Sequence, residues 1–187
     1  MEKSIFLPVI LSTPRQGRMS EHVARFVVSQ LETVTGVETE LIDLRTLALP
    51  VSDAGEAIKD PAFSAAMMRA DGLVIVLPEY NHGYPGLLKH ALDTNLKEYI
   101  HKPVGLCGVS AGAFGGTRAI ENLLPVLREL GLVTIFWDLN FSKVGGIFDL
   151  ATGALLEPAH GKRFEKFAQE LVWMAKVLGQ GRANVSI

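Results

Sequence analysis

A chain of 187 residues suits one domain of ordinary size, expected over residues 1–187, and 48% apolar with 20% charged residues can bury a core, which excludes wholesale disorder. The formal net charge of −2 gives no electrostatic reason to expect DNA, RNA or an anionic membrane as partner. The single cysteine, Cys107, excludes an intrachain disulfide and any multi-cysteine metal site, and its place in an apolar run marks a buried thiol.

Taken in chain order, Ile5 to Leu11 is nearly all apolar and reads as a first strand. It is too short for a signal core and no small-x-small cleavage site follows. No apolar run approaches the roughly 20 residues that span a bilayer, so a cytoplasmic protein is expected. Val23, Phe26, Val27, Leu31 and Val34 form a helical stripe that Gly36 stops. Glu38 to Leu44 is more polar and partly alternating, as suits an edge strand. Phe63, Ala66, Met67 and Ala70 mark a second helix, and Leu73 to Leu77 a buried strand. Leu87, Leu88, Ala91 and Leu92 mark a third helix, and Val104 to Val109 another buried strand. Ile120, Leu123, Leu124 and Leu127 give a fourth helix ending near Gly131, which Pro125 should kink or loosen. Leu132 to Phe136 is a fifth strand, and Phe164, Phe167, Ala168, Leu171, Ala175 and Leu178 give the cleanest stripe.

Continuous hydrophobicity is what a strand needs when helices cover both faces of a parallel sheet. The alternation predicts an α/β fold: a three-layer sandwich with a five-stranded parallel sheet in the flavodoxin-like order 2-1-3-4-5. No repeat, low-complexity tract or composition shift marks a second domain.

In such sheets ligands bind beyond the carboxyl ends of the strands, near the topological switch point. Three unusual loops should reach that edge. The first, Ser12-Thr-Pro-Arg-Gln-Gly-Arg-Met-Ser20, carries hydroxyls at both ends, two arginines and a glycine, and leads into a helix. A phosphate monoester needs donors and positive charge, which a helix N-terminus and an arginine fork both supply. The bland alternative, that Ser20 is an N-cap and Arg15 and Arg18 are solvated, stands equally well on this loop alone. Neither the Walker A pattern nor Gly-x-Gly-x-x-Gly is present. The second loop, Pro78-Glu-Tyr-Asn-His-Gly-Tyr-Pro-Gly86, has the prolines and glycines of a rigid path, with Tyr80 or Tyr84 able to lie beside a planar ligand. The third, Ser110-Ala-Gly-Ala-Phe-Gly-Gly116, lets another molecule approach the backbone, and Thr117 can cap the next helix.

Other chemistries find little support. The histidines His22, His82, His90, His101 and His160 show no metal-ligand spacing. Gly108-Val-Ser-Ala-Gly112 matches the hydrolase elbow letter for letter, with Asp138 and His160 downstream, but the chain is short for that fold and the first two loops would be left unexplained.

Together the loops make the sequence resemble the NADPH-dependent FMN reductase family of flavodoxin-like proteins, whose relatives include chromate, quinone and azo-dye reductases. The resemblance rests on Pro78-Glu-Tyr-Asn-His-Gly-Tyr-Pro-Gly-Leu-Leu-Lys-His-Ala-Leu-Asp93, on Lys102-Pro-Val, and on Ser110-Ala-Gly followed by Gly115-Gly-Thr-Arg118. It implies bound FMN with NADPH or NADH as co-substrate. Hydride would pass through the flavin to a small-molecule acceptor, such as a quinone, azo compound, flavin or metal oxyanion, by a ping-pong cycle. By the same resemblance Ser12, Arg15, Gly17, Arg18 and Ser20 would hold the phosphate. Pro78, Glu79, Tyr80 and Asn81 would line the ring, largely through backbone, and Ser110, Ala111, Gly112 and Gly115 would close its far side. No side chain is assigned a catalytic role and no metal is expected. A homodimer or homotetramer is implied. The departures are local: Thr13-Pro14 alters the first loop's spacing, His90 replaces the usual Asn, and Thr94-Asn95 the usual aromatic position. Two other readings remain at this point. A flavodoxin-type electron carrier is usually strongly acidic, which −2 is not; a flavin-binding regulatory module is the second.

Overall fold

The computed structural model describes residues 4–53 and 55–186. In chain order its elements are β1 (Ile5–Phe6), β2 (Val9–Leu11), α1 (Ser20–Leu31), β3 (Val37–Glu38), β4 (Leu41–Asp43), α2 (Pro61–Arg69), β5 (Leu73–Pro78), α3 (Gly86–Asp93), β6 (Pro103–Val109), α4 (Thr117–Glu129), β7 (Val133–Thr134), β8 (Leu139–Phe141) and α5 (Ala159–Asn184). The main sheet runs β4-β2-β5-β6-β7, with β8 also on β6, and β1 pairs separately with β3; every pairing is parallel.

The main sheet therefore has six strands where the sequence predicts five, because three of the predicted strands are interrupted. Pro8 has no N–H to give the ladder, so the stretch from Ile5 to Leu11 divides into β1 and β2. Its partner divides at the same level, where the Thr39 hydroxyl donates to the Leu7 carbonyl at 2.7 Å. The fifth strand leaves the sheet after Ile135, whose N–H still reaches Val104 O at 3.1 Å, because the Phe136 N–H is taken by the Glu170 carboxylate at 3.0 Å. It returns as β8, which sequence patterning did not assign. With each interrupted strand counted once, the spatial order is the flavodoxin-like 2-1-3-4-5.

Two apolar cores follow from the period of two along β5. Val74 and Val76 pack on one side with α1 and α5, while Leu73, Ile75 and Leu77 pack on the other with α2, α3 and α4. At β6 the approach of α5 requires glycine, since a Cβ on Gly105 would lie 2.3 Å from the Phe167 ring. Cys107 lies fully buried in this strand, and burial pushes its thiol up. Helix α2 starts where Asp60 accepts from the Phe63 N–H at 2.9 Å, with Pro61 at the first helical position. Helix α4 runs unbroken through Pro125, with Leu123 and Leu127 buried on either side.

Polar groups outside the site are mostly structural. The Lys102 ammonium is buried and donates to the Met67 and Met68 carbonyls at 2.6 and 3.0 Å, which closes the C-terminus of α2. Burial and the nearby Arg182 pull its pKa down to about 8. His90 meets the Pro50 carbonyl at 3.0 Å, and Thr94 and Asn95 are buried. The buried Glu98 accepts from Lys59 at 2.7 Å and from the Leu96 N–H at 3.0 Å. Burial opposes its charge, but these donors outweigh burial and hold its pKa at about 2. A carboxyl depressed in the folded state stabilises the fold above its unfolded pKa, near 4.5, and loses that contribution as pH falls through about 2. Thermal melts across this range should therefore show a smaller acid-induced loss in Glu98→Gln than in the parent; equal losses would remove Glu98 as a source.

Candidate functional site

The loops after β2, β5 and β6 meet at the carboxyl edge of the sheet around a cavity of about 340 Å³. Of the predicted site residues, Arg15, Gly17, Arg18, Ser20, Pro78, Glu79, Tyr80, Ser110 and Ala111 line it, joined by Gln16, Met19, Val109 and Val144. Ser12, Asn81, Gly112 and Gly115 stand outside the lining. A larger groove of about 870 Å³ runs between α4 and β7, but none of the three loops contributes to it.

The first loop has the chemistry of an anion cradle. Ser12 sits just beyond β2, its N–H bound to Val76 O at 3.2 Å, and Ser20 opens α1. Both hydroxyl oxygens are buried and neither has a hydrogen-bond partner among the described residues. Ser20 is thus not the N-cap; Met19 holds that position and makes no side-chain cap bond. The N–H groups of Gln16, Gly17, Arg18, Met19 and Ser20 likewise find no acceptor among the described residues. Gly17 turns at φ +63°, a conformation glycine adopts without strain. Orphaned donors at a helix N-terminus are the usual setting for a bound oxyanion.

Arg18 is used differently from the sequence expectation. Its guanidinium is turned inward, donating from Nε and Nη2 to Glu21 at 3.3 Å, from Nη1 to the Thr13 carbonyl and to Asp43 at 2.9 Å, and from Nη2 to Asp43. All its N–H groups are engaged, so none remains for a ligand phosphate. Burial opposes the charge on Asp43, and Arg18 with the Arg45 N–H outweighs it, keeping that carboxyl below its ordinary range. Arg15 alone among the loop's arginines is exposed, its guanidinium carbon 5.9 Å from the Tyr80 ring centroid.

The second loop is a tight hairpin. Tyr80 and Gly83 exchange both backbone hydrogen bonds at 2.9 Å, and Asn81 and His82 between them take φ +49° and +67°. Positive φ at both central positions is the type I′ signature. It leaves Asn81 exposed at the tip, outside the lining. The Glu79 N–H is bound to Val109 O at 2.9 Å and the Tyr80 N–H to Gly83 O, so these two N–H groups are already used. Side chains tie the loop to its neighbours instead. The Tyr80 and Thr13 hydroxyls are 2.8 Å apart, linking the first two loops. Arg118, from α4, donates to Glu79 Oε1 at 2.6 Å and to His82 Nε2 at 2.8 Å, and Asn122 donates to the His82 carbonyl at 2.8 Å. Thr13 and Arg118 are the residues that sequence reasoning left without a role, although Arg118 stood within the quoted glycine-rich motif.

The third loop's glycines serve packing as much as access. Gly115 takes φ +58°, and a Cβ there would lie 2.8 Å from the Asn140 Cβ. Gly112 faces open space. Thr117 does not cap α4; its hydroxyl donates to the Phe114 carbonyl at 2.7 Å and Gly116 is the N-cap. The Ser110 hydroxyl donates to the Gly112 carbonyl at 3.0 Å and has no histidine partner, while His160 stacks on Phe141 with centroids 4.6 Å apart. The geometry of a serine nucleophile is absent among the described residues. No group of three or more metal-ligating side chains occurs among them either, and no described helix is long and apolar enough to cross a membrane.

Fold and loops together define a flavodoxin-like protein with unpartnered hydroxyls and amides gathered at the sheet's switch point. Residues 7–144 match the family described as NADPH-dependent FMN reductase, and the chain belongs to that family. Among curated relatives, the NADPH azoreductase of Bacillus sp. (strain OY1-2) is 34% identical over 122 residues, covering 63% of this chain and 65% of that protein. The 2-hydroxy-1,4-benzoquinone reductase of Burkholderia sp. is 40% identical over 134 residues, 68% of this chain and 72% of that protein. The chain thus spans about two thirds of the length of these relatives. Among solved structures, the flavoenzyme NAD(P)H:(acceptor) oxidoreductase FerB of Paracoccus denitrificans superposes with a TM-score of 0.75 at 20% identity, over 92% of this chain and 97% of that one. A mutant flavodoxin from Pseudomonas aeruginosa shares the fold at a TM-score of 0.60 and 15% identity, over 90% and 99% of the two chains.

Loss of Arg18 removes its bonds to Asp43, Glu21 and the Thr13 carbonyl, while Asp43 keeps Arg45 at 3.5 Å and Glu21 keeps Arg25 at 2.8 Å. Arg18→Met should lower unfolding free energy by about 2 kcal/mol, measured by urea denaturation without ligand; a change within about 0.5 kcal/mol would remove Arg18 as a structural tie.

Proposed function

We propose that the chain binds FMN in the three-loop cavity and acts as an NAD(P)H-dependent reductase of small acceptors. The observation that carries this reading is the pair of buried, unpartnered hydroxyls, Ser12 and Ser20, bracketing a loop whose own amides lack acceptors. Such groups carry a desolvation cost until something accepts from them, and a phosphate monoester at a helix N-terminus fits that need. When bound, FMN supplies the redox chemistry, taking hydride from a reduced nicotinamide and delivering reducing equivalents to an acceptor.

The chain's residues bind and orient. Ser12, Ser20 and the amides of residues 16–20, with the turn at Gly17, would hold the phosphate; Arg15 would add charge from the rim, and Arg18 would shape the loop from beneath. Pro78, Glu79 and Tyr80 would flank one side of the ring and Ser110 and Ala111 the other, with Asn81, Gly112 and Gly115 fixing the paths of the loops at its edge. Hydride transfer needs no side-chain acid or base, and no residue is assigned that role. With one cavity for both substrates, donor and acceptor would take turns in a ping-pong order. Quinones and azo compounds are the favoured acceptors, supported by the names of the azoreductase and benzoquinone reductase relatives. A homodimer or homotetramer in the cytoplasm completes the proposal.

The test is the visible spectrum of FMN-loaded protein under anaerobic NADPH. A flavin band that bleaches and returns on adding a quinone is expected; a band indifferent to both NADPH and NADH would replace the reductase with an electron carrier or regulatory module. In the same titrations Arg15→Ala should weaken FMN binding by about 1.5–3 kcal/mol, and unchanged affinity would remove Arg15 from the phosphate.

A further inference from the structure

Glu79 is the one cavity-lining carboxylate with an unmet bonding capacity. Its side chain is 5% exposed, and the residue shares the cavity lining with Arg15, Gln16, Arg18, Met19, Tyr80 and small residues of the third loop. Oε1 receives two N–H groups of Arg118, from Nε at 2.6 Å and from Nη2. Oε2 is buried and accepts nothing from any described residue. A buried carboxylate oxygen is seldom left without a donor, and each such case in a folded chain calls for a cause.

The setting fixes this carboxylate firmly. Arg118 is held at its other end by His82 Nε2 at 2.8 Å, and its guanidinium carbon lies 4.8 Å from the Phe114 ring centroid. The Glu79 backbone is anchored to Val109 O at 2.9 Å. One arginine from α4 thus fixes the side chain of the second loop while resting on the third, and the oxygen left over belongs to a residue that lines the cavity. Both Arg118 bonds converge on Oε1, so in this arrangement Oε2 is left without a donor among the described residues.

We infer that Glu79 Oε2 is the acceptor for a hydrogen-bond donor carried on the ring bound in this cavity, an imide-type N–H or a phenolic O–H, and that Arg118 is the residue that positions it. The inference rests on the reading of this cavity as a flavin site and extends it from phosphate holding to recognition of the ring. Two sources share this donor chemistry: the flavin's own imide N–H, and the hydroxyl of a hydroxylated aromatic substrate. In Glu79→Gln, Arg118 retains the amide oxygen and the amide nitrogen replaces Oε2, so a donor faces a donor at unchanged size.

The first arm measures dissociation constants for FMN and for FMN methylated at ring N3, by quenching of flavin fluorescence, in the parent, Glu79→Gln, Arg118→Met and Arg118→Lys. If the donor is the flavin imide, the parent prefers FMN over its N3-methyl form by roughly tenfold or more. Glu79→Gln and Arg118→Met lose that preference, and Arg118→Lys recovers part of it. The second arm compares KM for 6-hydroxy-1,4-naphthoquinone, whose hydroxyl cannot bond its own carbonyls, with that for 1,4-naphthoquinone. If the donor is a substrate hydroxyl, FMN affinities stay level and the KM ratio shifts by roughly tenfold in Glu79→Gln. Because both readouts are ratios within one folded variant, a general loss of stability does not imitate them. If neither ratio moves while the parent takes up FMN, the inference is overturned and the functional reading survives. A parent that takes up no FMN overturns the functional reading, and the inference with it.

Discussion

The parallel registration of β2, β5 and β6 is the constraint on which the site depends. Leu11 pairs with Val76, and Pro78 pairs with Val109, so three adjacent strands finish at nearly the same level. Their following loops emerge side by side, and a cavity at that edge is a consequence of strand length rather than of any one side chain. A parallel register is costly to slip when both faces of the sheet are buried, because a shift by one residue exchanges the two cores. The apolar faces of β5 therefore hold the loops in place as firmly as any contact within them.

Above that base, the loops are fastened to one another by polar contacts that leave a few groups free. Thr13 to Tyr80 joins the first loop to the second, Glu79 to Arg118 joins the second to α4, and Arg18 ties the first loop to Asp43 at the end of β4. Once these are made, Ser12 Oγ, Ser20 Oγ and Glu79 Oε2 remain as buried side-chain atoms without a partner among the described residues, beside the amides of residues 16–20. Preorganisation of this kind lowers the ordering entropy lost on binding. It also explains why two arginines three residues apart in one loop differ: one is consumed as framework, the other stays exposed.

Much of this was legible in the sequence, for definite reasons. Strand and helix identity followed from continuous apolar runs and stripes of helical period, which survive because helices cover both faces of the sheet. The interruptions were not legible from periodicity. That at Pro8 depends on a missing donor, and those at Thr39 and Phe136 depend on side chains that capture backbone groups across the fold, Thr39 on Leu7 and Glu170 on Phe136. At the site, the three loops could be found by their composition, yet composition does not distinguish an inward guanidinium from an outward one. Arg18 pairs with a residue 25 positions away, and Arg118 with one 39 positions away, separations at which sequence patterning has no purchase. The left-handed pair Asn81-His82 ahead of Gly83 is the one local signal for the hairpin, and apolar periodicity does not register it.

A cradle for a phosphate monoester in the first loop requires FMN to bind far more tightly than riboflavin, which lacks only that phosphate. Dissociation constants from fluorescence titration should favour FMN by at least about a hundredfold, as several charge-assisted hydrogen bonds at a helix N-terminus imply, and Ser12→Ala with Ser20→Ala should narrow that gap while leaving riboflavin binding nearly unchanged. Equal affinity for the two flavins, or a gap untouched by both substitutions, would contradict the account.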